Sequence, residues 1–115
     1  MKYKIYHNAR CRKSREALQL LETMNEEVEI VEYLKDPLST EDFNKLLMKL
    51  NMRPEELIRK NESLYKQEYR GLKLTDEEWV DTMLAHPKLI ERPIVELNHR
   101  AVVARPAERI EELKK

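Results

Sequence analysis

The sequence is poor in the residues that build disulfides, flexible linkers and metal sites. Its 115 residues include one cysteine, Cys11, and one glycine, Gly71. One cysteine excludes an intrachain disulfide and a multi-cysteine metal site, and a single glycine argues against long flexible linkers. The three histidines, His7, His86 and His99, show no ligand spacing, so we expect no bound metal.

Long hydrophobic runs and a net charge are also missing. No apolar run approaches the ~20 residues that a membrane-spanning helix needs, and the N-terminus lacks the apolar core of a signal peptide. The 22 basic and 22 acidic residues cancel, so overall charge favours neither nucleic acid nor a membrane surface. We expect a cytoplasmic protein that binds neither of them, and we expect a monomer.

The first third of the chain predicts a β-α-β unit. Residues 2–6 alternate in polarity and include aromatics, which is typical of a strand. Apolar residues at helical spacing predict a helix over about residues 14–24. Residues 28–33 are rich in β-branched side chains and predict a second strand. Since a helix joins the two strands, we expect them to pair in parallel.

The middle of the chain predicts helices and no strand. Ser39 or Thr40 is a candidate N-cap for a helix with an apolar face. Pro54 is well placed to begin a short helix, and residues 65–69 predict a weak helical turn. Residues 75–78 form a capping-box pattern that begins another helix, which ends near the sequence His-Pro at residues 86–87.

The last part of the chain predicts a hairpin and a final helix. Residues 94–97 and 101–104 are apolar and β-branched, and Asn98-His99 between them is typical of a tight turn. The two strands should therefore pair in an antiparallel hairpin. Pro106 is suited to the first turn of a last helix, which should bury Ile110 and Leu113.

This order of elements favours an α/β fold on the thioredoxin-like plan, with a four-stranded mixed sheet flanked by helices. The length and the 41% of hydrophobic residues suit one core, so we predict a single domain over residues 1–115. Residues 1–38 and 88–115 would form the thioredoxin-like core. Residues 39–87 would be a helical insertion between the β-α-β half and the β-β-α half.

The only cysteine lies between the first predicted strand and the first predicted helix. N–H groups and the dipole at a helix N-terminus stabilise negative charge, so this position favours the reactive thiolate. A lone cysteine is often only a small residue chosen for packing, but Cys11 has no apolar neighbours. Four cations surround it instead: Arg10, Arg12, Lys13 and Arg15.

Several short motifs together resemble one family, the glutaredoxin-linked arsenate reductases. They span nearly the whole chain and occur in the family's order. No motif is specific alone, but the set is specific for the broad family, which also includes the Spx-type transcription regulators. The matching stretches are His7-Asn8-x-x-Cys11-x-x-Ser14-Arg15, Tyr33-Leu34-Lys35-Asp36-Pro37, Leu57-Ile58-Arg59-Lys60-Asn61, His86-Pro87-x-Leu89-Ile90-x-Arg92-Pro93-Ile94 and Arg105-Pro106.

The resemblance implies one catalytic cysteine and three arginines that bind the substrate. By motif these are Cys11, Arg59, Arg92 and Arg105. Arsenate is a tetrahedral oxyanion, and guanidinium groups bind such oxygens bidentately and keep their charge. Taken singly, an arginine in so charged a chain is more often a solvated surface group.

Three further residues are implied as supporting ones. Pro93 matches a proline that is often cis in thioredoxin-like folds. His7, if protonated, would lower the pKa of the cysteine. Ser14 would donate a hydrogen bond to the thiolate, or else serve only as an N-cap or first-turn residue.

The resemblance also implies a mechanism and its partners. The Cys11 thiolate would attack arsenate and form a covalent adduct. Because no second cysteine is present to resolve it, an external thiol must do so, which by resemblance is glutathione followed by glutaredoxin. Arsenite would then be released. No bound cofactor is implied, since glutathione acts as a co-substrate.

Two alternatives remain open at this stage. An Spx-type regulator would bind RNA polymerase, and such regulators typically carry a Cys-x-x-Cys switch, whereas this chain has Cys11 and Ser14 at those positions. A reductase-like protein would instead act on another oxyanion or on a glutathione mixed disulfide. We rank the arsenate reductase first.

Overall fold

A computed structural model describes residues 2–114 of the chain. The strands and α-helices within this range are β1 (Lys2–Tyr6), α1 (Arg12–Thr23), β2 (Glu27–Val31), α2 (Thr40–Leu50), α3 (Asp76–Ala85), β3 (Ile94–Leu97) and β4 (Arg100–Val103). Shorter helical segments are Pro54–Leu57, Tyr65–Tyr69, Pro87–Leu89 and Ala107–Lys114. Across these residues, none of the helices is both long enough and apolar enough to cross a membrane.

The chain divides into two compact units. The first consists of Met1–Asp36 and Arg92–Lys115, and the second of Pro37–Glu91. All four strands belong to the first unit, and α2 and α3 belong to the second. The assignment of the two parts to one domain stays a prediction.

The first unit contains a mixed four-stranded sheet in the order β2-β1-β3-β4. β1 pairs in parallel with β2, placing Ile5 opposite Ile30. β1 pairs antiparallel with β3, and β3 pairs antiparallel with β4 through the turn at Asn98. Asn98 has φ 57°, a left-handed conformation that asparagine tolerates better than most residues. The predicted fold class, with its parallel unit, hairpin and flanking helices, is confirmed.

One face of this sheet carries the core of the first unit. Alternate residues of β1 and β3 point to it, because side chains alternate along a strand. α1 contributes Ala17 and Leu21, and both are fully buried. The remaining core positions come from the two central strands, from β4 and from the C-terminal segment; they include Tyr3, Ile5, Val95, Leu97, Val102, Ile110 and Leu113. This packing fixes where α1 begins, and therefore where Cys11 lies.

The final helix is buried as predicted but differs in type. Ala107–Lys114 is a 3₁₀ helix. Ile110 and Leu113 face the core and are at most 4% exposed. They are three residues apart and continue the spacing from Ala107. A 3₁₀ helix has three residues per turn, so this spacing aligns the apolar side chains on one side.

The second unit is helical, as the sequence predicts. Ser39 is the N-cap of α2, and its hydroxyl accepts a hydrogen bond from the amide of Asp42. Thr75 and Glu78 form the predicted capping box at the start of α3. Trp79 of α3 is buried, and it lies against the rings of Tyr65 and Tyr69 at centroid distances of 6.4 and 6.2 Å. Residues 65–69 form a single π-helical turn.

Candidate active site

Cys11 is the N-cap residue of α1, which confirms the predicted junction of strand and helix. Its φ of −93° and ψ of 121° are extended, and its carbonyl oxygen accepts the first helical hydrogen bond, from the amide of Arg15 at 3.0 Å. The side chain is half-buried and the thiol is free. The sulfur therefore lies at the N-terminus of a 12-residue helix, where exposed N–H groups favour an anion.

Asn8 holds the loop that leads to the cysteine. Its side-chain Oδ1 accepts from the amide of Arg10 at 3.0 Å, and its carbonyl oxygen accepts from the amide of Cys11 at 2.9 Å. No role for Asn8 is predicted from the sequence. The position of Asn8 could have indicated this role. Asparagine after a strand is typical of a turn in which its side chain hydrogen-bonds to the backbone two residues further on.

The surroundings of the sulfur lower the pKa of Cys11. Burial acts in the opposite direction and raises it, but four contributions outweigh burial. The amide of Ser14 hydrogen-bonds to the sulfur, the guanidinium of Arg92 both hydrogen-bonds to it and attracts it, and the amide of Lys13 adds a further hydrogen bond. The thiolate is therefore favoured at a lower pH than for an ordinary cysteine.

Arg92 lies next to the sulfur, and Arg105 contacts the backbone of Arg92. Nη1 of Arg105 donates to the backbone carbonyl oxygen of Arg92 at 3.3 Å. Nε of Arg92 is buried and has no acceptor among residues 2–114. The Arg92–Pro93 peptide bond is cis, as expected from the resemblance, and so is Arg105–Pro106. Two of the three predicted arginines thus belong to the same group of residues as Cys11.

Ser14 and His7 form a buried pair next to this group. The hydroxyl of Ser14 lies 2.7 Å from Nδ1 of His7 and accepts from the amide of Asn8 at 3.0 Å. Ser14 is fully buried in the first turn of α1. Its amide, not its hydroxyl, bonds to the sulfur, because the hydroxyl points back to the end of β1. The Ser14 hydroxyl thus connects the first turn of α1 to the residues that follow β1.

The expected effect of a protonated His7 on the cysteine needs correction. Burial lowers the pKa of His7; Glu32 opposes this by attraction and Arg15 adds to it by repulsion. The ring is therefore neutral at neutral pH, because its pKa is below the ordinary value of about 6.5. His7 is also not among the groups that shift the pKa of Cys11. The positive charge beside the sulfur comes from Arg92.

Arg59 belongs to the second unit. Its side chain is only 17% exposed. Nε donates to Oδ1 of Asn61 at 3.1 Å and lies 3.9 Å from Glu62. Nη1 is buried without an acceptor within the described range. A buried guanidinium nitrogen of this kind is suited to an anion, and the role of Arg59 stays a prediction.

The other two histidines lie away from Cys11 in the sequence. His86 ends α3, and His99 is an exposed turn residue. Within residues 2–114, no three histidine, cysteine or acidic side chains are grouped so as to hold a metal ion. The arrangement at Cys11 can instead combine a nucleophilic thiolate with charged donors for an oxyanion.

The chain is similar to a known family over almost its entire length. A model of the ArsC family matches residues 6–113. The uncharacterized protein YfgD of Escherichia coli strain K12 is 43% identical over 112 residues, covering 96% of this chain and 94% of its own. An arsenate reductase of Neisseria meningitidis serogroup A is 39% identical and covers 94% of each chain. The structure of an arsenate reductase from Vibrio cholerae superposes with a TM-score of 0.93 at 39% identity, covering 98% of both chains.

Proposed function

Because the chain belongs to the ArsC family, we propose that it is an arsenate reductase, an oxidoreductase that converts arsenate to arsenite. Its relatives include proteins of that name at 36–39% identity. The observation that carries the proposal is the position of the Cys11 sulfur at the N-terminus of α1, with the guanidinium of Arg92 next to it. The guanidinium is a permanent positive charge beside the only thiol, where it stabilises the thiolate and can bind an oxyanion.

The first chemical step is attack by the Cys11 thiolate on arsenic. A sulfur–arsenic bond forms, one arsenic–oxygen bond breaks, and the oxygen leaves as water after protonation from solvent. Amide groups at the start of α1 and the guanidinium of Arg92 stabilise the oxygens around arsenic as charge shifts onto them. The arsenic is still As(V) in this adduct.

Two external thiols then supply the two electrons. We propose glutathione as the first: its sulfur bonds to arsenic and a second oxygen leaves as water. A thiolate of glutaredoxin then attacks the glutathione sulfur, a disulfide forms, and the electron pair of the broken sulfur–arsenic bond stays on arsenic, which becomes As(III). Water cleaves the Cys11–arsenic bond and releases arsenite. A reducing compartment such as the cytoplasm suits this chemistry, since it keeps thiols reduced.

Three arginines complete the proposed substrate site. Arg92 supports the thiolate, Arg105 holds the backbone of Arg92, and each has a guanidinium able to bind oxyanion oxygens. Arg59 is proposed as the third, on the strength of its buried, unpaired Nη1 within the described residues. We also propose that the protein acts as a monomer. Pro93 is proposed to shape the backbone next to Arg92.

The test is turnover of arsenate coupled to glutathione and glutaredoxin. We expect Cys11→Ser to abolish it, and Arg59→Ala or Arg92→Ala to raise KM for arsenate about 10- to 100-fold, because each removes charge-assisted hydrogen bonds worth about 1.5–3 kcal/mol. Arg109→Ala is the matched control, since Arg109 is an exposed arginine paired with Glu112. Retained turnover in Cys11→Ser would overturn the mechanism.

The regulator hypothesis is tested in parallel. The sequence has no second cysteine for a disulfide switch, which disfavours a redox-switched regulator. Capture of RNA polymerase by the wild-type protein, with no arsenate turnover, would reverse the ranking. Turnover of a different oxyanion or of a glutathione mixed disulfide, with arsenate inert, would keep the site and change the substrate.

A further inference from the structure

Four exposed cations flank Cys11 along the chain. They are Arg10, Arg12, Lys13 and Arg15, and we call them the basic cluster. Arg12 and Lys13 share a single carboxylate, that of Glu16, at 3.4 and 3.7 Å. Arg15 donates to the carbonyl oxygen of Ala9 at 2.9 Å, a neutral acceptor that does not offset its charge. Four cations and one acid leave an excess of three positive charges on this surface.

Three members of the basic cluster, Arg12, Lys13 and Arg15, lie on α1 and destabilise its N-terminal end. A helix N-terminus is stabilised by acidic side chains and destabilised by basic ones. α2 and α3 follow this rule, with acidic residues in their first turns. α1 has none there and begins with Arg12 and Lys13. Helix stability therefore does not account for the basic cluster.

The charges of the basic cluster also do not act mainly on the sulfur. The groups that shift the pKa of Cys11 are the amides of Ser14 and Lys13 and the guanidinium of Arg92. The side chain of Arg12 is 84% exposed and pairs with Glu16 farther along the helix. These positive charges are exposed to solvent, where they attract an anionic molecule that approaches the thiol.

We propose that the basic cluster docks the acidic surface of a thiol protein, with acidic residues around that partner's reactive sulfur. The inference rests on the proposed function, in which a thiol from outside must reach Cys11. The four cations lie within four residues of Cys11, so a partner that brings its sulfur to Cys11 comes close to them. Opposite charges around the two sulfurs then steer the encounter and hold its register. The neutral chain as a whole gives no comparable attraction to nucleic acid.

The test uses disulfide exchange and needs no arsenate. Three symmetric peptide disulfides are compared, with cysteine flanked by aspartates, serines or lysines. Cys11 thiolate attacks one sulfur of the peptide disulfide, a protein–peptide disulfide forms, and one peptide leaves as thiolate. Labelling is followed by mass spectrometry at low and high salt. We expect the aspartate peptide to react about tenfold faster than the serine peptide at low salt and the difference to shrink at high salt.

Variants separate the basic cluster from the rest of the site. Arg10→Gln with Arg12→Gln should remove most of the preference for the aspartate peptide while changing the serine peptide's rate less than twofold. Arg70→Gln with Lys73→Gln removes the same charge from exposed positions elsewhere and should keep the preference. Equal rates for the three peptides, or a preference that survives the Arg10 and Arg12 changes, would overturn the proposal.

A separate outcome distinguishes this inference from the proposed function. If the peptide preference is found and arsenate is not reduced, the docking surface stands and the arsenate reductase assignment fails. If single-stranded RNA protects Cys11 from the aspartate peptide at submicromolar concentration, and the Arg10 and Arg12 changes abolish this protection, nucleic acid is the occupant and the proposal of an acidic protein is wrong.

Discussion

Arg105 supports Arg92 through the backbone: its Nη1 donates to the carbonyl oxygen of Arg92 at 3.3 Å. The guanidinium of Arg92 in turn acts against burial to lower the pKa of Cys11, through hydrogen bonding and charge. The hairpin of β3 and β4 brings the two arginines together, and it is closed next to them by the amide of Ala104 donating to the carbonyl oxygen of Pro93 at 2.8 Å. The sheet register thus determines which charge reaches the nucleophile.

Removing Arg92 should raise the pKa of Cys11. Arg92→Ala deletes both the hydrogen bond and the attraction that favour the thiolate, while burial continues to raise the pKa. The rate of alkylation by iodoacetamide, measured across pH, should therefore rise at a higher pH in the variant than in the wild type. Arg109→Ala should leave the profile unchanged. If the Arg92→Ala profile coincides with that of the wild type, Arg92 does not lower the pKa of Cys11.

The two arginines should be energetically coupled. Arg105→Ala leaves the guanidinium of Arg92 in place but releases the backbone from which it extends, so its effect should be smaller than that of Arg92→Ala. In a double-mutant cycle on alkylation rate at pH 7, we expect an interaction energy of about 0.5–3 kcal/mol. Strict additivity would mean that the 3.3 Å contact does not position Arg92.

Ser14 should matter for stability. Ser14→Ala leaves the amide of Asn8 and Nδ1 of His7 without their partner at a fully buried position. An unsatisfied buried polar group costs about 1–3 kcal/mol. Because Nδ1 of His7 is buried while the amide of Asn8 is only partly buried, the free energy of unfolding in urea should fall by about 1–3 kcal/mol, mainly through His7. Ser63→Ala, at an exposed serine, should change it by less than about 0.5 kcal/mol. A loss no larger than that of Ser63→Ala would argue against the buried pair.

Much of the fold could be predicted because local patterns and packing agree. The alternation in β1, the capping box at Thr75 and the turn at Asn98 each act within a few residues. The predicted bounds of α1 and β2 were wrong by one or two residues at their ends: α1 begins at Arg12 and β2 ends at Val31. Element ends depend on tertiary hydrogen bonds, such as the one from the amide of His7 to Val31.

The nucleophile of the site could be predicted from the sequence, but most of the side-chain contacts around it could not. The position of Cys11 follows from a strand followed by a helix. The pairing of Arg105 with Arg92 depends on the register of a hairpin, and the neutral state of His7 depends on burial that periodicity does not report. The hydroxyl of Ser14 has several partners within reach of a helix N-terminus, and only the packed structure selects His7 and Asn8.

His7 should make the protein less stable in mild acid. Burial lowers its pKa in the folded state, so as the pH falls the unfolded chain takes up the proton first, near pH 6.5. The free energy of unfolding should therefore be at its maximum above about pH 6.5. It should decrease as the pH falls from there through the lowered pKa of His7. Urea unfolding at pH 7.5 and 5.5 measures this loss. The loss of unfolding free energy between these two pH values should be smaller in His7→Gln than in the wild type. His99→Gln, which changes an exposed ring, should show the same loss as the wild type. An equal loss in all three proteins would show that groups other than His7 cause it.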